Sequence, residues 1–273
     1  MTRPWRSAGA RAALGTLALL ALAALVAPLL LPDPAAAPDP LGARLLVPSL
    51  AHPLGTDALS RDVLARLAHG TGISLRVGLL AALVAGALGA LVGLGAAAAG
   101  GLADDLLMRG TDALASIPRA FAVLFAVAAW PGMPLGGFTL LLGITGWMAV
   151  ARIVAAEGRR MMAGDAVAAA RALGAGRRRI ILRHLLPNAA GQLIVATALG
   201  VGEAMLLEAG LSFLGAGVRP PTPSLGTLLH DGKDALAAAP WLTVAPGLVL
   251  TAAVLATNRL GDALRDAFDP RQR

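Results

Sequence analysis

The sequence predicts an all-α membrane protein that crosses the bilayer six times. Only 14% of its 273 residues are charged and 57% are hydrophobic, whereas charged residues make up about 25% of a soluble domain. Apolar stretches long enough to cross the hydrocarbon core as helices, about 20 residues each, recur along the chain. The predicted spans cover residues 14–31, 74–99, 106–130, 137–156, 189–214 and 241–260.

The first span, residues 14–31, has two interpretations. A basic start, an apolar run and three alanines at 35–37 are typical of a secretory signal peptide with its cleavage site. The apolar run of a signal peptide is about 7–15 residues long, and this one is longer. A retained membrane span is therefore favoured, and the other five spans do not depend on the choice.

The third span, residues 106–130, is expected to be the weakest. Arg109 and Asp112 place charge inside it, which is costly in lipid. Pro118 follows, and proline removes a helical hydrogen bond and crowds the preceding turn.

Two long segments between spans are predicted to lie on the outer side. Residues 32–73 begin with a stiff, proline-rich stretch. They continue into a predicted amphipathic helix at residues 57–67, with Thr56 or Asp57 as its N-cap. Residues 215–240 are rich in proline and turn-like, so irregular structure is expected there.

The distribution of arginine predicts that both termini are cytoplasmic. Arginines precede the first span (Arg3, Arg6), follow the fourth span and fill the C-terminal tail (Arg271, Arg273), as the positive-inside bias expects. The net charge of +7 reflects this bias and does not indicate nucleic-acid binding.

The chain is thus divided into three parts. Residues 1–72 hold the N-terminal tail, the first span and a periplasmic segment. Residues 73–262 form the membrane core, with a cytoplasmic loop at 157–187. Residues 263–273 form a cytoplasmic tail.

The residue types present exclude several kinds of chemistry. Cysteine is absent, which excludes disulfides and thiolate sites, and the four histidines form no ligand-spaced pair. Lys233 is the only lysine and is followed by Asp234, whereas a phosphate-binding loop needs lysine followed by serine or threonine. We therefore predict no catalytic, cofactor-binding or metal-binding residues, and if the chain does energised work, the energy would come from a partner.

Two acids fall within the fifth span and are candidates for lining a pathway. Glu203 and Glu208 lie five residues apart, which is about 140° of rotation on a helix, so they do not share a face. Either could line a path, because intramembrane charges usually face protein or water. The alternative is that each forms a hydrogen bond to a neighbouring helix.

Small residues on the second span predict a close helix contact. Ala85, Gly89 and Gly93 stand four residues apart on one helical face, a spacing that lets two backbones approach in lipid. The contact could be made within this chain or with a sister subunit.

The loop after the fourth span is predicted to contain two short helices separated by a glycine-rich break. Residues 165–173 favour a helix, with Asp165 in its first turn. Gly174 and Gly176 are expected to end the helix and to permit a left-handed residue. A second helix is predicted from residue 177 to residue 186, closed by Pro187.

This first helix presents a small apolar patch formed by Ala169, Ala170 and Leu173, beside Arg171. Such a patch could enter a shallow cleft on a partner. A basic helix could equally lie on anionic lipid headgroups, and the residues alone favour neither interpretation.

The loop resembles the cytoplasmic "EAA" loop of ABC importer permeases, whose pattern is roughly E-A-A-x3-G followed by a hydrophobic-Leu-Pro ending. The corresponding residues are Ala168, Ala169 and Ala170, then Gly174, then Leu185-Leu186-Pro187. Five blocks in order resemble the C-type permeases of dipeptide, oligopeptide and nickel importers. They are HPLGTDALSRDVLARL (52–67), LMRGTDALASIP (107–118), ARALGAGRRRIILRHLLPN (170–188), EAGLSFLGAGVRPPTPSLGTLL (208–229) and NRLGDALRDAFDPR (258–271).

One residue departs from the family pattern. Ala168 stands where the family usually has glutamate, and Asp165 supplies an acid slightly upstream. The absence of this glutamate affects the salt bridge that it could make to a partner. It does not affect the expected shape of the docking helix at residues 165–173.

The resemblance implies the type I importer permease fold in a bacterial inner membrane. It implies a homologous B-type permease as partner, an extracytoplasmic substrate-binding protein, and two cytoplasmic ATPases that hold ATP and Mg. The residues that it assigns to ATPase coupling are Asp165, Ala168, Ala169, Ala170, Arg171, Leu173, Gly174 and Pro187.

The substrate class implied by the resemblance is short peptides, with nickel or a metal chelate as the alternative. A secondary carrier would need paired intramembrane acids or an inverted repeat, and neither is seen in the sequence.

Overall fold

The computed structural model describes residues 8–39 and 41–268. The basic residues Arg3, Arg6, Arg271 and Arg273 lie outside these described residues. The helices are α1 (Ala8–Leu30), α2 (Val63–Ala99), α3 (Gly101–Ala115), α4 (Arg119–Ala129), α5 (Leu135–Ile144), α6 (Trp147–Met162), α7 (Asp165–Ala172), α8 (Arg177–Ile180), α9 (Leu186–Phe213), α10 (Leu225–Gly232) and α11 (Trp241–Phe268), with a π-helical turn at Ile181–Leu185 and a 3₁₀ turn at Lys233–Ala235.

The described part of the chain contains five apolar segments long enough to cross a membrane, and α3 with α4 forms a sixth if the bent pair is one span. The predicted all-α membrane fold is therefore confirmed. Within the described residues the only β-bridge is an isolated antiparallel one between Thr56 and Asp62.

The third span, which was expected to be the weakest, is broken into two helices. Helices α3 and α4 meet at an angle of 76°, and the break falls at Ser116–Pro118. Proline explains the break, because it lacks the backbone N–H that would continue the helical ladder.

The second span begins differently from the prediction. No helix starts at residue 57, and neither Thr56 nor Asp57 is its cap. Helix α2 begins at Val63, capped by the Asp62 carboxylate, which accepts a hydrogen bond from the Ala65 N–H. The Asp57 side chain instead accepts the N–H groups of Leu59 and Arg61, a local turn that competes with helix formation.

Helix α2 packs closely on α6 through the predicted small residues. A Cβ added to Gly89 would lie 2.6 Å from the Cβ of Val150, and one added to Gly93 would lie 2.5 Å from the carbonyl oxygen of Ala151. The contact predicted from the glycine spacing is therefore made within this chain.

The fourth span also contains a break. Helix α5 ends at Ile144, and α6 begins at Trp147 with Gly146 as its N-cap. The predicted span at 137–156 lies inside the 28-residue apolar segment Leu135–Met162, which two helices share.

The prediction that Pro187 closes a separate helix is wrong. Helical structure continues from Arg177 to Phe213 as one 37-residue segment. The π-helical turn Ile181–Leu185 precedes the proline. The wider turn accommodates a ring that has no N–H to donate.

The segment between the fifth and sixth spans is more ordered than expected. Within residues 215–240, α10 begins with a capping box formed by Ser224 and Thr227. Helix α10 packs against α9 and α11. A Cβ added to Gly226 would lie 2.5 Å from the carbonyl oxygen of Ala209, so this close approach requires glycine.

Candidate functional site

Residues 165–176, which the resemblance assigns to ATPase coupling and which are called the coupling segment, form a short helix and a sharp turn. Helix α7 carries Asp165 in its first turn. At its other end, Gly174 has a φ of 80°, the Ala175 N–H donates to the Ala170 carbonyl and the Gly174 N–H donates to the Arg171 carbonyl, both at 2.9 Å. This pair of bonds is a Schellman motif, which leaves few unpaired carbonyls at the helix end.

The predicted glycine break is confirmed at one of its two residues. Gly174 adopts the left-handed conformation. Gly176 has an ordinary φ of −72° and is the extended N-cap of α8.

One face of the coupling segment is anchored to the membrane helices. Val167 is buried and belongs to an apolar cluster with Leu94 of α2, Val154 of α6 and Ile180 of α8. The segment therefore shares one apolar cluster with residues of three other helices.

The other face is open. Asp165, Ala168, Ala169 and Arg171 are exposed and Ala170 is half-buried, while Leu173 is 89% exposed. Leu173 is therefore accessible for an apolar contact with a partner.

Basic side chains flank this open face. Arg177, Arg178 and Arg179 are all exposed, and no acid forms a salt bridge with them within residues 8–39 and 41–268. Their positive charge is free to attract an acidic protein surface or anionic lipid.

Glu203 lies on the exposed side of α9 and pairs with Arg119, the first residue of α4. The Arg119 Nη1 donates to Glu203 Oε1 at 2.7 Å. Arg119 was not among the residues predicted from sequence, although a charged residue directly after Pro118 in an apolar stretch was a signal for it.

Glu208 is fully buried and held by serine hydroxyls. Ser74 of α2 and Ser212 of α9 each donate to one carboxylate oxygen at 2.7 Å. Ser74 also accepts the Leu225 N–H at 3.1 Å, so the cluster joins α2, α9 and α10. Glu203 and Glu208 thus lie in different environments, as the 140° spacing implied.

A second charge network lies at the start of α2. Asp57 accepts hydrogen bonds from Arg61 at 2.7 Å and from Arg66 at 2.6 Å. Asp231 of α10 pairs with the same two arginines, at 3.2 Å and 2.8 Å. A partner 170 residues away cannot be recognised from local sequence.

Comparisons with known proteins agree with the residue blocks described above. Residues 86–273 match the family described as "Binding-protein-dependent transport system inner membrane component". A putative peptide permease protein of Brucella suis biovar 1 is 39% identical over 226 residues, covering 82% of this chain and 74% of the relative.

Two further relatives carry more specific names. The dipeptide transport system permease protein DppC of Haemophilus influenzae is 37% identical over 81% of this chain and 75% of its own length. The oligopeptide transport system permease protein OppC of Mycobacterium tuberculosis is 38% identical over 85% of this chain and 80% of its own length.

Proposed function

This chain belongs to the family of binding-protein-dependent transport system inner membrane components, and we propose that it forms half of an ATP-driven import path for short peptides. It is a transport subunit rather than an enzyme. The observation that carries the substrate class is the likeness, over more than four fifths of the chain, to proteins named as peptide permeases.

The partners proposed are those of such an importer. A homologous B-type permease would complete the path, an extracytoplasmic binding protein would deliver the peptide, and two ATPases would supply the energy. The arginines beside α7 support a cytoplasmic position for the coupling segment, which would also place both termini in the cytoplasm.

The proposed ATPase contact is the open face of the coupling segment. Leu173 would enter a cleft of the ATPase, flanked by Ala169 and Arg171, while Val167 anchors the helix to the membrane core. Movement of the ATPases would then act on α2, α6 and the long helix that ends in α9. Because Ala168 replaces the family's glutamate, shape and apolar contact would dominate this interface.

The proposed path-facing surface is a stripe on α9. Glu203, Leu206, Gly210 and Phe213 are all exposed, and their spacing places them on one helical face. A carboxylate in this stripe is expensive against lipid. The stripe is therefore better suited to water and to the second permease than to acyl chains.

The coupling proposal is tested by substituting Leu173→Asp. Leu173 makes little contact within this chain, so the fold should be retained. Removing an apolar anchor from an interface costs roughly 2 kcal/mol or more, which is more than tenfold in affinity. Co-purification of the ATPases from membranes that contain the whole transporter should therefore fall by at least about tenfold.

The matched control is Leu50→Asp, which changes a fully exposed leucine in the segment proposed to be extracytoplasmic. It should leave ATPase co-purification unchanged. Equal ATPase recovery with Leu173→Asp and wild type would contradict the coupling role. ATP-dependent uptake of nickel but not of a labelled dipeptide would contradict the substrate class.

A further inference from the structure

The two broken membrane spans meet at one side chain, Arg119. The first break precedes α4, and Arg119 is the first residue after it. The second break separates α5 from α6. Arg119 reaches it by donating from Nη2 to the Leu142 carbonyl at 2.6 Å and from Nε to Thr145 Oγ1 at 3.4 Å. Gly146 makes room, because a Cβ there would lie 2.8 Å from Arg119 Nη2.

Breaks of this kind are informative in a membrane protein. Non-helical backbone at membrane depth is tolerated where it is buried in protein or lines a water-filled cavity, and broken helices frequently form substrate sites. Arg119 satisfies a carbonyl at the end of α5, so its charge is used to stabilise the break.

The ion pair that Arg119 forms with Glu203 is asymmetric. The Arg119 side chain is only 19% exposed, whereas that of Glu203 is 68% exposed. Arg119 uses all three of its nitrogens, while Glu203 accepts its hydrogen bond through Oε1. Among the described residues no other partner of Glu203 is found. A carboxylate has about four lone-pair sites, so Oε2 is available to a ligand.

Both side chains line a cleft of about 200 Å³ between α2, α6 and α9. Its other lining residues are uncharged, and many are alanine or glycine, including Ala81, Ala85 and Gly200. The walls are therefore small and sterically permissive. Because the guanidinium is enclosed and its nitrogens are already bonded, the charged group that a ligand can reach in the cleft is the carboxylate, which accepts hydrogen bonds from a donor.

We propose that Glu203, oriented by Arg119, is a binding station for the α-ammonium group of a peptide in transit. The inference rests on the proposed function and assigns a substrate contact to this cleft. A primary ammonium carries three donors and forms charge-assisted bonds with a carboxylate. Peptides of any side-chain composition share this group, so a single carboxylate serves a broad range of peptides.

The test uses the complete transporter, with both permeases, the ATPases and the binding protein, reconstituted in liposomes. The probe is labelled dialanine, and the quantity measured is its initial ATP-dependent uptake at saturating binding protein. Glu203→Gln keeps the size and removes the charge, so uptake should fall at least about tenfold, as expected for the loss of one charge-assisted hydrogen bond. Glu203→Asp keeps a carboxylate and should recover part of the rate.

A purely structural ion pair is distinguished by the free energy of unfolding of the purified complex. In that case Glu203→Gln would lower uptake and unfolding free energy together. We expect Glu203→Gln to lower uptake while the unfolding free energy changes little, because Arg119 keeps its bonds to Leu142 and Thr145. Asp112→Asn, which removes the acid of an exposed pair with Arg152 outside the cleft, is the matched control and should transport normally.

The outcomes separate this inference from the function on which it rests. Wild-type complexes that import no dialanine would overturn the proposed function, and the station with it. Normal wild-type import combined with uptake by Glu203→Gln within twofold of wild type would overturn the station alone. A loss of uptake in Glu203→Gln that is matched by a loss of unfolding free energy would do the same.

Discussion

At the scale of single residues, Glu208 is expected to be the most sensitive acid to conservative substitution. Its two oxygens accept hydroxyl bonds from Ser74 and Ser212, and those hydroxyls are themselves fixed by the Leu225 and Val218 N–H groups. In Glu208→Gln one carboxylate oxygen is replaced by an NH₂ group, which cannot accept a hydrogen bond. The serine hydroxyl that donated to that oxygen would then be buried without an acceptor. Such a group costs about 1–3 kcal/mol.

The measurement is the free energy of unfolding of the purified protein in detergent. A double-mutant cycle with Ser74→Ala should show coupling, because the two side chains share one hydrogen bond. Thr251→Ala removes an exposed hydroxyl bonded within its own helix and should change stability little. Additive effects of Glu208→Gln and Ser74→Ala would contradict this account.

At the scale of elements, the end of α7 depends on the conformation of Gly174. Its φ of 80° disfavours any residue with a Cβ, although a Cβ there would meet nothing within 4 Å. Gly174→Ala should therefore cost about 1 kcal/mol from backbone conformation alone. Hydrogen exchange of the α7 amides should become roughly fivefold faster, since local opening reports local stability.

Gly176→Ala is the matched control two residues away. Gly176 also has open space around it, and its φ is ordinary. Its substitution should leave α7 exchange nearly unchanged. Equal acceleration by both substitutions would show that loss of glycine flexibility, and not the left-handed turn, controls α7.

Some of the helices and breaks could be predicted from sequence and others could not. The membrane spans were predictable because each is a long apolar run, and the break near Pro118 and the turn at Gly174 were predictable because each depends on one residue type. The start of α2 was not, because Asp57 is committed to Arg66 and to a turn. The continuity through Pro187 was not, because a π-helical turn leaves no simple local pattern.

The residues of the candidate site also differ in how far they could be predicted from local sequence. Apart from Pro187, the residues assigned to coupling lie within residues 165–174, so their helix and turn could be predicted from local sequence. Arg119 and Glu203 are 84 residues apart, and Ser74 and Glu208 are 134 apart. These pairs exist only after α2, α4 and α9 have packed together. Sequence could therefore nominate the two glutamates but could not assign their partners.

At the scale of the whole molecule, α2 separates two regions that should respond independently. Arg66 lies near its start in the network with Asp57 and Asp231, and Leu94 lies near its end in the cluster that anchors α7. A helix rises about 1.5 Å per residue, which places the two regions roughly 40 Å apart.

Arg66→Leu removes one partner from each of two acids, the buried Asp57 and the more exposed Asp231. The free energy of unfolding should therefore fall by about 3 kcal/mol or more. Sites separated by more than about 10 Å usually contribute additively. The decrease in unfolding free energy of the double variant Arg66→Leu/Gly174→Ala should therefore equal the sum of the decreases of the two single variants. Exchange of the α7 amides in the double variant should match that of Gly174→Ala alone. Arg44→Leu, at an exposed arginine, controls for loss of charge and should change stability little. Accelerated α7 exchange in Arg66→Leu, with the rest of the protein still folded, would contradict independence and show that α2 carries a change at its N-terminal end to the coupling segment.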